Sequence, residues 1–349
     1  MIYQLILPAL VLIVGVCFSS LCCCSLFSVL CGLYTSYSFP LKGHLVERTA
    51  PKPHNRIFFE HRGLRNLFTF EPAMRSLLLS VAIAATATTA LLVPDPGNDY
   101  SCISTHNPVV TLHGLGATYY EDINYLGDWL KTQGFCVYRA TYGSYPEFPL
   151  IGGFLPINES AIEVADFIAN VSSSKANTKV DLVGHSEGAF LSLYVPKFQP
   201  GVSDILQRIV SIAPPTRGTN FANLITLAKD LGIDGLVQTV LDLFGCKACN
   251  DVTTGGWAIG HLNDGTPIIQ EGNSATIIIS KDDELVTPTS TSPVNETNVR
   301  NEYIQDYCPQ DPVGHIGEAY DLNVWNLVKN ALEDVTAHNF QCVIGSPGK

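Results

Sequence analysis

The segment from Lys179 to Tyr194, KVDLVGHSEGAFLSLY, constrains the fold more than any other: an apolar run stops at Gly184-His185-Ser186-Glu187-Gly188 and then resumes. A strand that ends in a sharp turn and feeds a helix thrusts the turn residue out of the backbone. Small residues two positions to either side permit the close packing that such a turn imposes. Gly184 and Gly188 hold those positions around Ser186. A Gly-x-Ser-x-Gly pentapeptide by itself also fits an ordinary loop. The strand Asp181-Leu182-Val183 before it and the helix start Ala189-Phe190-Leu191 after it make Ser186 a candidate nucleophile.

The surrounding chain repeats this alternation of strand and helix. Apolar runs at 107–114, 135–142, 180–183, 208–212 and 276–280, and a further one at 303–307, predict strands. Apolar residues at helical spacing predict helices over 121–133, 158–171, from Glu187, and over 323–332. Units of this length predict an α/β fold: an open, mostly parallel central sheet with helices on both faces. Residues 219–270 break the alternation, being helix-rich and apolar on several sides, and are expected to form a helical cap insertion over one edge of the sheet.

A neutral serine hydroxyl attacks carbonyls poorly, so it needs a base, and the base needs an orienting carboxylate. Asp283 follows an apolar strand in TIIISKDDELVTP and is the preferred acid, with its neighbours Asp282 and Glu284 as competitors. Among nine histidines, His44, His54 and His61 precede the main domain, and His106 precedes its first strand. His113 belongs to a turn, His185 is held beside the serine, His261 lies in the insertion and His338 near the chain end. His315, on a glycine-flanked loop before the last helix, is the candidate base. Oxyanion donors are expected from the backbone N–H of Glu187, after the serine, and of Leu115, in the turn HGLGA. Glu187 would act through its backbone, its side chain left free for local polar contacts, and an acid there can bring negative charge near the hole. GLGA lacks the spacing of a dinucleotide-binding loop, and no cofactor or metal is called for.

The first 93 residues differ in kind from the rest. Residues 1–41 carry no charged side chain, and 5–33 is long and apolar enough to be a candidate membrane span. A basic linker, 42–75, has seven Lys/Arg against three Asp/Glu, and 74–93 has the layout of a signal peptide. Two spans, or a signal peptide led by Met74, both place the domain 94–349 outside the cell, secreted or membrane-anchored. Five of eleven cysteines lie in the first apolar stretch. The remaining six, Cys102, Cys136, Cys246, Cys249, Cys308 and Cys342, read as three disulfides of open connectivity. Asn158, Asn170 and Asn295 begin glycosylation sequons, consistent with export. From residue 94 on there are 13 Lys/Arg against 29 Asp/Glu, which disfavours nucleic acid and other polyanions as partners while leaving an uncharged lipid surface open. Oligomeric state is not encoded in any of these features.

PVVTLHGLG (108–116), VDLVGHSEGA (180–189), SIAPPTRGTNF (211–221), CKAC (246–249), DDELVTP (282–288) and YCPQDPVGHIGEAYDLNVWNLVKNAL (307–332) together resemble the α/β-hydrolases. They are most similar to secreted triacylglycerol lipases of the bacterial and fungal class 2 type. The resemblance covers most of 105–335 and none of the first 93 residues. It implies an α/β-hydrolase fold and serine carboxylester hydrolysis of lipid or other apolar acyl esters, met at a lipid–water interface. Ser186 would be the nucleophile, His315 the base and Asp283, rather than Asp282, the acid. A soluble-ester carboxylesterase, an acyltransferase and a silent hydrolase-fold interaction protein are the alternatives. Glu187 departs from the neutral residue many relatives carry beside the serine.

Overall fold

The structure, a computed structural model, describes residues 96–146, 148–176, 178–220, 245–336 and 339–348. The stretches 5–33, 42–75 and 74–93, the cysteines within 17–31, the central insertion at 221–244 and His338 lie outside the described residues.

Apolar runs become the strands β1 (Val109–Leu112), β2 (Val137–Arg139), β3 (Val180–His185), β4 (Leu206–Ile212) and β5 (Ser274–Ile279), joined by β6 (Val299–Tyr303). They form one sheet in the order β2-β1-β3-β4-β5-β6, and every neighbouring pair is parallel. Helices α1 (Asn124–Thr132), α2 (Ile157–Ser174), α3 (Glu187–Phe198) and α4 (Val202–Ile205) connect the first four strands. After β4 come α5 (Lys247–Val252) and α6 (Trp257–Leu262), and after β6 come α7 (Ile304–Tyr307), α8 (His315–Glu318) and α9 (Leu322–Leu332).

Because strand side chains alternate, β1 to β5 each feed two cores. Val110, Leu182, Ile209 and Ile277 pack with residues of α2 and α3, and Val109, Val183, Val210 and Ile278 pack with residues of α1 and α9. Helices therefore cover both faces. The described part of the insertion, α5 and α6, places Ala248, Val252, Ile259 and Leu262 in the first of these cores.

One strand lies elsewhere than expected: β6 covers 299–303, and 304–307 is a helical turn. Val299-Arg300-Asn301-Glu302-Tyr303 is an edge strand whose residues are half-buried or exposed, so no apolar run announces it. Helix α1 begins at Asn124, not at 121, because Asp122 adopts φ +71°, incompatible with a helix.

Three disulfides join Cys102 to Cys136, Cys246 to Cys249 and Cys308 to Cys342. The last draws the C-terminal tail over the segment that follows β6. There Val343 N–H donates to Asn323 Oδ1 (2.9 Å), Gly345 N–H to Asp311 Oδ1 (3.1 Å), and Gly317 N–H to Pro347 O (3.1 Å). Asn158, Asn170 and Asn295 are all exposed. Among the described residues no helix is long and apolar enough to cross a membrane.

Candidate active site

The C-terminal ends of parallel strands converge on one rim, where the loops after β1, β3, β5 and β6 meet. Ser186 stands between β3 and α3 at φ +56° and ψ −118°, a conformation that side chains other than glycine rarely adopt. Packing enforces it. A Cβ at Gly184 would lie 2.2 Å from Gly188 O, and one at Gly188 would lie 2.2 Å from Leu112 O. The helix start is thus pressed against both its own strand and β1, and the turn has no room to relax.

His315, the first residue of α8, is 3% exposed and lies between two partners. Its Nδ1–H donates to Asp283 Oδ2 (2.9 Å), which leaves Nε2 to accept from Ser186 Oγ (2.9 Å). Asp283 Oδ1 accepts the N–H groups of Leu285 (2.8 Å) and Val286 (2.9 Å), fixing the carboxylate. Burial pushes the Asp283 carboxyl up, but the neighbouring His315 and the two backbone donors more than offset it, and the net direction is down. For His315 burial opposes the charged ring, yet Asp283, with lesser help from Glu284 and Asp122, carries the net direction above 6.5. The pair is thus a stabilised imidazolium when a proton arrives, which is what a general base requires. Asp282 is exposed, its N–H bonded to Ser280 Oγ (3.1 Å), and stays outside this chain of contacts.

The two expected oxyanion donors flank the serine. Glu187 opens α3, so its N–H is one of the helix-initial donors without an intrahelical acceptor. Leu115 lies in the turn after β1, where the N–H groups on either side are taken: Gly114 donates to Asp122 Oδ2 (2.6 Å) and Gly116 to Gly152 O (2.9 Å). His113 supports that turn from beneath. Its Nδ1–H donates to Gly114 O (2.9 Å), its Nε2 accepts from Tyr142 N–H (3.3 Å), and burial pushes its pKa down to about 4, so the ring is neutral.

The Glu187 side chain behaves unlike the expectation of local polar contacts and a negative charge. It is 2% exposed, lies against Gly153, and among the described residues neither carboxyl oxygen has a hydrogen-bond partner. Burial, and then the charge of Asp251, push its pKa well up. An unpaired carboxylate in such a place is costly, so burial favours the protonated, neutral form of the group.

Two acids near the site were not singled out by sequence reasoning. Asp122 resembles an ordinary acidic residue at a helix start. In the folded chain its carboxylate binds Gly114 N–H and lies 2.7 Å from His185 Nδ1. Glu318 is fully buried three residues after His315; its Oε1 accepts from Ser280 N–H (2.7 Å), and burial first, then Asp283, push its pKa well up. Ligand atoms of His185, His315 and Glu318 come within 4.8 Å of one another. Hydrogen bonds already occupy both ring nitrogens of each histidine.

The family described as Lipase (class 2) matches residues 106–321, more than half of the chain. The chain belongs to the class 2 lipases. Among curated proteins, this class 2 lipase is 26% identical over 147 residues to a triacylglycerol lipase of Pseudarthrobacter phenanthrenivorans, covering 40% of this chain and 43% of that protein. A triacylglycerol lipase of Burkholderia plantarii is likewise 26% identical over 147 residues, covering 40% of this chain and 38% of that protein. The class 2 lipase thus spans less than half the length of the curated relatives it matches. Aspergillus fumigatus lipase B superposes with a TM-score of 0.53 at 17% identity, over 69% of this chain and 55% of that one. At that identity the superposition speaks to fold, and the fold is the α/β-hydrolase fold.

Proposed function

We propose that this class 2 lipase is a serine carboxylester hydrolase that cleaves triacylglycerol and other lipid esters through an acyl-enzyme. One observation carries the proposal: Ser186 Oγ, His315 and Asp283 form a continuous hydrogen-bonded chain with links of 2.9 Å and 2.9 Å. As Ser186 Oγ bonds to the ester carbonyl carbon, its proton passes to His315 Nε2, and the imidazolium is held by Asp283. The carbonyl oxygen becomes an oxyanion that the N–H groups of Leu115 and Glu187 are placed to receive. Collapse expels the alcohol, which takes the proton from Nε2, and water activated by the same nitrogen releases the acid. The burial that pushes the Glu187 carboxyl towards its neutral form supports this assignment, since a carboxylate beside the oxyanion would oppose its formation.

The curated relatives named as triacylglycerol lipases favour a lipid substrate. We further infer that the domain from residue 94 on works outside the cell, secreted or anchored through the N-terminal region. Three disulfides and three exposed sequon asparagines, Asn158, Asn170 and Asn295, support that placement.

Hydrolysis of emulsified long-chain triacylglycerol and of a soluble butyrate ester, compared in the wild type and in Ser186→Ala, tests the assignment. A lipase releases fatty acid from the emulsion, and the substitution abolishes it. Turnover confined to the soluble ester would replace lipase by esterase, and activity surviving Ser186→Ala would remove Ser186 from the mechanism.

A further inference from the structure

Behind the Ser186, His315 and Asp283 chain lies a second acid and histidine couple, whose contacts reach the turn after β1, the end of β3 and the segment that carries the base. Asp122 is 8% exposed and His185 2%. Asp122 Oδ2 accepts the Gly114 N–H at 2.6 Å, and its Oδ1 lies 2.7 Å from His185 Nδ1. The other ring nitrogen, His185 Nε2, is 3.0 Å from His315 O. A carbonyl oxygen can only accept, so Nε2 carries a proton and donates it. Finally, the Asp122 N–H donates to Tyr320 Oη at 3.0 Å.

We propose that Asp122, acting through His185, is the positioning residue that holds the oxyanion turn and the base loop at a fixed distance from Ser186; this rests on the serine hydrolase assignment above. The two residues connect three separate stretches of chain. Gly114 immediately precedes Leu115, whose N–H is the candidate donor after β1. His185 is the last residue of β3 and precedes the nucleophile. His315 and Tyr320 belong to the segment that follows β6 and carries the base. The β1–β3 pairing ends at Leu112 and Gly184; beyond it these hydrogen bonds tie the turn after β1 to the end of β3 and to the segment that carries the base. The clamp is built at a cost, because Asp122 sits at φ +71°, a region unfavourable for a residue other than glycine. Charged and titratable groups around the couple include His315, whose ring centroid is 4.9 Å from that of His185, Glu318, Tyr320 at the Asp122 backbone, and the stacked His113 and Tyr142.

Neither Asp122 nor His185 bonds to Ser186 Oγ, so the couple acts on the transition state through geometry. Losing it should lower kcat and leave KM nearly unchanged. Asn at 122 preserves all three side-chain links: its amide oxygen can accept the Gly114 N–H, its amide nitrogen can donate to His185 Nδ1, and Nε2 still donates to His315 O. Ala preserves none of them.

The test is steady-state turnover of a soluble p-nitrophenyl ester by the full chain, with kcat expressed per serine titrated to completion by a reactive phosphonate. Asp122→Ala should lower kcat per titrated site by about 100-fold, the scale of a misplaced oxyanion donor, with KM within about threefold. Asp122→Asn should recover kcat to within about tenfold of the wild type, the part lost reflecting a neutral link in place of a charge-assisted one. A purely structural role would reduce the titratable fraction and leave kcat per site alone. Asp122→Ala with wild-type kcat per site overturns the proposal, as does Asp122→Asn as impaired as Asp122→Ala. Should Asp122→Ala not fold, Tyr320→Phe takes its place: removing the Asp122 N–H acceptor should lower kcat per site about threefold or more at constant KM, and an unchanged kcat overturns the clamp. Failure of the wild type to react with phosphonate or turn over ester would instead defeat the hydrolase assignment itself.

Discussion

At the scale of single residues, the ionisation states of His315 and Glu187 shape the site. In the proposed mechanism His315 must be neutral to accept the serine proton; burial opposes its charged form, and Asp283, with Glu284 and Asp122 more weakly, carries the net direction above 6.5. Activity therefore rises as pH climbs through that raised value. The acid limb of kcat/KM should have its midpoint above 6.5; a pH profile in Asp283→Asn should show that limb moved to lower pH and kcat reduced by about 10³–10⁴-fold. A limb at or below the ordinary histidine value in the wild type would contradict the Asp283–His315 pairing. Glu187 makes a stability prediction whose sign can be worked out. Its folded pKa is raised above the ordinary 4.5, so the stabilisation from keeping the proton is complete below 4.5 and is lost as pH rises through the folded value. Glu187→Gln removes that dependence, so the variant's melting temperature should gain on the wild type progressively as pH rises from 4.5. It should also retain turnover, because the amide is neutral and has nearly the same shape as the acid.

At the scale of elements, the elbow works because α3 starts in contact with β1. A Cβ at Gly188 would sit 2.2 Å from Leu112 O and 2.6 Å from His113 O, both backbone atoms that cannot swing aside. Gly188→Ala should therefore cost about 3 kcal/mol or more in denaturant unfolding. Gly260 in α6 is the contrast: it is exposed, and a Cβ there meets nothing within 4 Å, so Gly260→Ala should stabilise by about 0.5–1 kcal/mol. Equal responses at the two positions would contradict this account of the elbow. The same elements show what the chain discloses before it folds. Strands β1, β3, β4 and β5 are largely buried apolar runs and were legible as such. Strand β6 was not, since an edge needs no apolar side chains to pair its backbone. Ser186, Asp283 and His315 could be singled out because each stands at a recognisable strand end or glycine-flanked loop. Asp122 could not, because its role is set by contacts with residues 63 and 198 positions away in sequence, to His185 and Tyr320.

At the scale of the whole molecule, the loops that carry the site are tied down from outside the sheet. The Cys308–Cys342 disulfide closes a loop of 34 residues that includes His315, and the tail it anchors contributes Pro347 O to Gly317 N–H in the helical turn of the base. Cys308→Ser together with Cys342→Ser should cost about 2–4 kcal/mol of stability, measured as a lower denaturant midpoint under oxidising conditions; an unchanged midpoint would show that the tail's hydrogen bonds hold it without the bridge. The parallel sheet supplies the rim on which Ser186, His315 and Asp283 converge. That convergence is tested most directly by exposing the folded protein to a serine-reactive phosphonate and locating the adduct by peptide mass spectrometry. The account predicts a single adduct on Ser186, absent in Ser186→Ala and strongly slowed in His315→Ala; a correctly folded wild type that takes up no phosphonate at Ser186 would contradict it.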